Sequence, residues 1–243
     1  MATLIFDIET IARPWSEFDD TTKQALQSWG VQADPATGEA DQSFEQLQST
    51  LGLSPLTGTV ASIAVYDVER KEGAVYVVSG AEPNQTTTDS GYKIKHRSEA
   101  QLLEDFWEGA RSYDVFVTFN GRQFDIPFLL HRSVACGIKP SVELVKNRYL
   151  TQQTYPYHID LLEELTFNRA MPRRASLHMF CQAYDIPSPK AVRDGSSVAS
   201  LVEDEAWQTL ANYNATDVVA THALYEKWKG YLAPRSFINS LEF

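Results

Sequence analysis

The sequence predicts an α/β fold, a β-sheet flanked by α-helices. Strand-type apolar runs lie at Thr3–Glu9, Thr59–Val68, Ala74–Ser79 and Asp114–Phe119, and helical periodicity dominates the rest. Strands first, then helices mixed with one further strand, is the order of an α/β/α or α+β sandwich. The 243 residues, 43% hydrophobic and 22% charged, suit one large domain with an ample core and exclude a disordered or low-complexity chain.

Thr3–Glu9 reads as a short buried strand. Residues 14–57 read as a helical insertion, with amphipathic stretches at Thr22–Trp29 and Gln42–Leu51 around the turn-rich Asp34-Pro35-Ala36-Thr37-Gly38. Thr59–Val68 and Ala74–Ser79 are β-branched and joined by Glu69–Gly73, the pattern of a hairpin. A polar stretch at 83–91 precedes a helix at Ser98–Arg111, for which Ser98 is a suitable N-cap. Asp114–Phe119 is the fourth strand, and Asp125–Cys136 is a helix that Gly137 can end. Helical segments follow at 161–168 and 175–184, and a long helix at Asp204–Tyr231. One domain over residues 1–243 is the expectation.

The formal charge of −11 argues against a protein that coats a phosphate backbone through bulk charge. The charge is polarised, however. Residues 1–60 carry two basic side chains against nine acidic ones, and residues 139–193 carry eight basic against five acidic. Two cysteines, Cys136 and Cys181, are too few for a disulfide framework, and the five histidines lack metal-ligand spacing. No apolar run reaches the ~18 residues of a membrane span. The first residues lack the basic start of a signal peptide, so a cytoplasmic protein without membrane contact is expected.

Four carboxylates stand where solvated surface does not explain them. In Leu4-Ile5-Phe6-Asp7-Ile8-Glu9-Thr10, alternation puts Leu4, Phe6 and Ile8 on one face and Ile5, Asp7 and Glu9 on the other. Two adjacent like charges at the end of a hydrophobic strand are either in solvent or bridged by a hard divalent cation such as Mg²⁺ or Mn²⁺. Asp125 follows an Asn120-Gly121 turn and opens a helix, as an N-cap, a further ligand or both. Asp217 lies one helical turn after Tyr213 in the stripe Leu210, Tyr213, Asn214, Asp217, Ala220, Thr221, Leu224, Trp228. A buried Tyr–Asp hydrogen bond is the alternative to a ligand role for that pair.

Taken together, D-x-E on the first strand, N-x3-F-D after a later one and Y-x3-D on the last long helix resemble the three motifs of the DEDD (DnaQ-like) 3′–5′ exonucleases. Tyr213 four residues before Asp217, with Asn212 rather than histidine before it, resembles the Tyr-type branch. Ser54–Val60, His158-Ile159-Asp160-Leu161, and Pro189-Lys190 with Asp194–Val198 resemble the stand-alone bacterial exonucleases similar to the proofreading exonuclease domain of family-B DNA polymerases. The resemblance runs from Thr3 to about Lys229 and is weakest over residues 14–53.

That resemblance implies a ribonuclease H-like fold with a mixed sheet of about five strands, and hydrolysis of phosphodiester bonds from a 3′ end. It implies two divalent cations, Mg²⁺ or Mn²⁺, held by Asp7, Glu9, Asp125 and Asp217 around the scissile phosphate. Tyr213 would place the attacking water, because a phenol of ordinary pKa ~10 stays protonated at neutral pH. Thr10 and Asn120 would contact the terminal nucleotide by the same resemblance, and Lys190 and Arg193 are the chosen backbone contacts in the basic region. Asp160 is either a supporting carboxylate or a helix cap. Single-stranded nucleic acid is the expected partner, DNA ahead of RNA. No polymerase domain fits within this length, so the exonuclease is expected to act alone or beside a separate partner. Two other readings compete. A non-catalytic module could grip nucleic-acid ends. A haloacid-dehalogenase-like phosphatase would use the D-x-D-x-T-like first strand, although its second acid should be Asp and here is Glu9.

Overall fold

The computed structural model describes residues 1–29, 50–80, 86–171, 175–188 and 197–241. Six strands form one mixed sheet: β1 (Thr3–Ala12), β2 (Gly58–Asp67), β3 (Glu72–Val78), β4 (Lys93–Arg97), β5 (Val115–Thr118) and β6 (Tyr157–Asp160), in the order β4-β3-β2-β1-β5-β6. β1–β2 and β2–β3 are antiparallel, whereas β5 and β6 run parallel to β1 and β4 runs parallel to β3. The expected α/β class and the hairpin are present, and the sheet has six strands rather than about five. β4 reads Lys-Ile-Lys-His-Arg, a charged edge strand with little apolar signal, and β6 has only four residues.

The helices are α1 (Asp20–Trp29), α2 (Glu99–Ala110), α3 (Asp125–Ala135), α4 (Leu161–Leu165), α5 (Leu177–Ala183), α6 (Val198–Glu203), α7 (Trp207–Tyr231) and α8 (Arg235–Leu241). Ser98 caps α2 in a capping box with Gln101. The expected long helix is present as α7 and starts later than expected. α6 ends at Glu203, Glu205 takes a positive φ, and α7 begins at Trp207. Of the insertion, Thr22–Trp29 is helical within α1, while most of Gln42–Leu51 lies outside the described residues. Phe18, Leu26 and Leu51 form a small core beside the end of β1, with Ala12 and Trp15 against it. No helix among the described residues is long and apolar enough to cross a membrane.

Alternation along β1 divides the two main cores. Leu4, Phe6 and Ile8 face a cluster with Leu102, Phe106 and Trp107 of α2 and Ile126, Phe128 and Leu129 of α3. Ile5 faces the other cluster, built on Leu210, Ala211, Ala215, Val218 and Leu224 of α7. Asp7 and Glu9 continue the Ile5 face, so the strand's two-residue period aims both carboxylates toward α7.

Candidate active site

The site forms at the C-terminal ends of the parallel strands β1, β5 and β6, the edge where open α/β sheets place their ligands. β1 outlasts β5. Their pairing covers Thr3–Ile5 of β1, and β5 ends at Thr118. On the other side, the β1–β2 register jumps from Glu9↔Ser62 to Thr10↔Val60, leaving Ala61 without a partner. Such a bulge bends the strand and re-aims its side chains.

Asp125 does not cap α3. Phe124 holds the N-cap position without a side-chain hydrogen bond, and Asp125 is the first helical residue. Its buried Oδ1 instead accepts the Ile8 N–H at 3.1 Å. Beyond the end of β5 that buried strand N–H needs an acceptor, and the Asp125 carboxylate supplies it. The contact brings Asp125 to the backbone between Asp7 and Glu9.

Asp7, Glu9 and Asp217 each offer a carboxylate oxygen, all within 4.8 Å of one another. Among the described residues, they are the one group of three or more histidine, cysteine or acidic side chains so arranged. Burial lifts the Asp7 carboxyl well above the usual range, and the Asp125, Asp217 and Glu9 charges lift it further against one hydrogen bond from Asn214. Burial likewise pushes Asp125 up to about 7, with Asp160 and Asp217 adding to it and the Ile8 N–H opposing. Carboxylates crowded in this way are relieved by a proton or by a cation. An oxygen-only donor set of this charge fits a hard divalent ion.

Tyr213 and Asp217 lie one turn apart on α7 and are half-buried, at the margin of the buried stripe rather than within it. Ala211, Ala215, Val218 and Tyr225 take up the packing that the sequence stripe gave partly to them. Asn120 adopts a positive φ of 67°, as the turn after β5 requires. Thr10 Oγ1 donates to the Gly52 carbonyl at 2.7 Å, tying the end of β1 to the residue-52 loop. Lys190 and Arg193 lie outside the described residues.

Asp160 caps a helix, one of the two roles suggested for it, and also bonds the turn after β5. It is the N-cap of α4, accepting from Leu162 and Glu163 N–H. It also accepts the Asn120 N–H at 3.0 Å and the Arg122 N–H at 2.9 Å, and so holds the turn that delivers Asp125. Nearby, buried Glu163 pairs with Arg122 at 3.2 Å and Arg148 at 2.7 Å. Arg122 also donates to the Lys146 carbonyl at 3.2 Å, which fastens part of the basic region to the same turn.

Sequence reasoning missed two residues. Asn214 Nδ2 donates to Asp7 Oδ2 at 2.8 Å, and Ser62 Oγ donates to Asn214 Oδ1 at 2.9 Å. Asn214 stands in the apolar stripe of α7, and a buried amide there was the available signal. Nothing in sequence spacing points to Ser62.

The model of a family described as a predicted 3′–5′ exonuclease related to the exonuclease domain of PolB matches residues 58–242. That range contains Asp125, Tyr213 and Asp217 and leaves Asp7 and Glu9 outside. Among solved structures, the family B DNA polymerase from the hyperthermophilic archaeon Pyrobaculum calidifontis is similar, with a TM-score of 0.57 and 19% identity. The similarity covers 93% of this chain and 24% of the polymerase chain, so the present chain spans about a quarter of that protein's length. At this identity the likeness speaks for the fold, a mixed sheet flanked by helices of the ribonuclease H-like kind.

Proposed function

The chain belongs to the family of predicted 3′–5′ exonucleases related to the exonuclease domain of PolB, and from that premise we propose that it removes nucleotides from the 3′ end of single-stranded nucleic acid, DNA in preference to RNA. The observation that carries this reading is the meeting of Asp7, Glu9 and Asp217 within 4.8 Å, with Asp125 bonded to the backbone between the first two. A Tyr-type exonuclease is the form that Tyr213 supports. In the same reading, residues 14–57 are a helical insertion in a single exonuclease domain, and the protein works in the cytoplasm.

Asp7, Glu9, Asp125 and Asp217 would hold two divalent cations, Mg²⁺ or Mn²⁺. Bound there, the cations would supply charge neutralisation at the phosphate and acidification of the attacking water. The protein's own groups do the rest. Tyr213, one turn from Asp217, orients the water through its hydroxyl. Asp160 keeps the turn at residues 120–122 in place and with it Asp125. Asn120 and Thr10 receive the terminal nucleotide, and Lys190 and Arg193 take the strand's phosphates. A local grip of this kind does not require a basic protein, which reconciles the substrate with a formal charge of −11.

The test uses 5′-labelled single-stranded DNA and RNA of one sequence, incubated with Mg²⁺, Mn²⁺ or chelator beside an Asp7→Ala variant. A ladder that shortens from the 3′ end, needs the cation and vanishes in the variant is the expected result, with DNA degraded faster. Tight binding without cleavage would favour an end-binding module. Release of inorganic phosphate from small phosphomonoesters would favour a phosphatase.

A further inference from the structure

We propose that Asn214, anchored by Ser62, is the positioning residue that sets Asp7 for cation binding, an inference that rests on the exonuclease reading above. Asn214 and Ser62 are both fully buried, at 0% exposure. An amide has a donor end and an acceptor end, and which end faces a neighbour is decided by its partners. The Ser62 hydroxyl donates to Oδ1 at 2.9 Å, and the opposite end donates to Asp7 Oδ2 at 2.8 Å. A turned amide would set its oxygen against the Asp7 carboxylate, so the carboxylate decides which end faces it, and the serine hydroxyl anchors the other end.

The two bonds connect the three elements that assemble the site. Ser62 lies on β2, opposite Glu9 in the register. Asn214 lies on α7, three residues before Asp217, and Asp7 lies on β1. Fixing one oxygen of a carboxylate fixes rotation about its Cβ–Cγ bond, and hence the direction of the other oxygen. The same bond holds α7 against β1, which governs how far Asp217 reaches toward Asp7 and Glu9. Stability alone does not call for this polar pair, since replacing both partners of a buried hydrogen bond by apolar groups of similar shape is nearly neutral.

The experiment is Mn²⁺ binding to the full chain without nucleic acid, by titration calorimetry, with thermal melting in chelator alongside. The chains compared are the unsubstituted protein, Asp7→Ala, Ser62→Ala, Asn214→Leu and the double variant. Loss of a group that orients a metal ligand typically weakens metal affinity by roughly 10–100-fold. Asn214→Leu is expected in that range, and Ser62→Ala is expected to show a smaller loss. The double variant should be no weaker than Asn214→Leu, because the serine acts only through the amide. Melting in chelator reads any cost to the fold separately from the loss of metal affinity, and nuclease activity of Asn214→Leu should recover at high Mn²⁺. Should Asn214→Leu fail to fold, Ser62→Ala decides, since it removes one hydroxyl and leaves the packing in place. Unchanged Mn²⁺ affinity in either single variant, or losses that multiply in the double one, overturns the proposal while the exonuclease reading stands. Equal Mn²⁺ binding by the unsubstituted protein and Asp7→Ala overturns both.

Discussion

Replacing Asp125 by asparagine should stabilise the cation-free protein while abolishing its activity. The Asp125 carboxyl is pushed up to about 7 from an ordinary 3.8, chiefly by burial. That rise is about 3 units, and at ~1.4 kcal/mol per unit the ionised form costs the fold up to about 4 kcal/mol. Between those two values the folded chain binds more protons than the unfolded one, so this group's contribution to stability falls as pH rises through the window and is lowest above 7. The substituted amide would retain an oxygen for the Ile8 N–H, which Asp125 now satisfies at 3.1 Å, and would carry no charge. The assay is thermal melting in chelator from about pH 4 to pH 8, read as the difference between variant and parent so that the other carboxylates largely cancel. Near pH 4 the two should melt together. Near pH 8 the variant should melt higher, by up to roughly 8–16 °C, taking ~2–4 °C per kcal/mol for a chain of this size. Added Mn²⁺ should narrow the gap by stabilising the parent, and the variant's nuclease rate should fall by more than about 100-fold. A variant that melts at or below its parent at pH 8 in chelator would refute the reasoning, because it would mean that the ionised carboxylate is welcome at that position.

Tyr213→Phe should lower turnover while leaving Mn²⁺ affinity within about twofold, since it removes a hydroxyl and no charge. Unaltered turnover would take the tyrosine out of the mechanism. Asp160→Ala strips the acceptor from the Asn120, Arg122, Leu162 and Glu163 N–H groups. It should cost about 2 kcal/mol in urea denaturation, the upper range for a lost cap, and weaken Mn²⁺ binding through the displaced turn. Gly121→Ala would drive a Cβ into Thr118, whose hydroxyl is bonded to buried His158. Overpacking of about 1–3 kcal/mol and a nuclease rate reduced beyond that loss of stability are expected, measured by denaturation and the labelled-oligonucleotide assay.

Much of this was legible in the chain itself, because local periodicities carry it. A two-residue period on β1 puts Ile5, Asp7 and Glu9 on one face, and a helical turn puts Tyr213 beside Asp217. Composition and turn residues were enough for the α/β class, the hairpin and the helix capped by Ser98. The strand β4 was not legible, since Lys-Ile-Lys-His-Arg has no strand pattern of its own and becomes a strand by pairing with β3. Asp125 was legible as a candidate, but that its carboxylate accepts a strand N–H 117 residues away in sequence, and does not cap its helix, was decided by the tertiary structure. Ser62 and Asn214 stand 152 residues apart, and Asn214 and Asp7 207 apart. Periodicity describes a residue's relation to its neighbours along the chain. Which amide meets which carboxylate depends on how strands and helices from distant parts of the chain pack, and that was decided only when the sheet closed against α7.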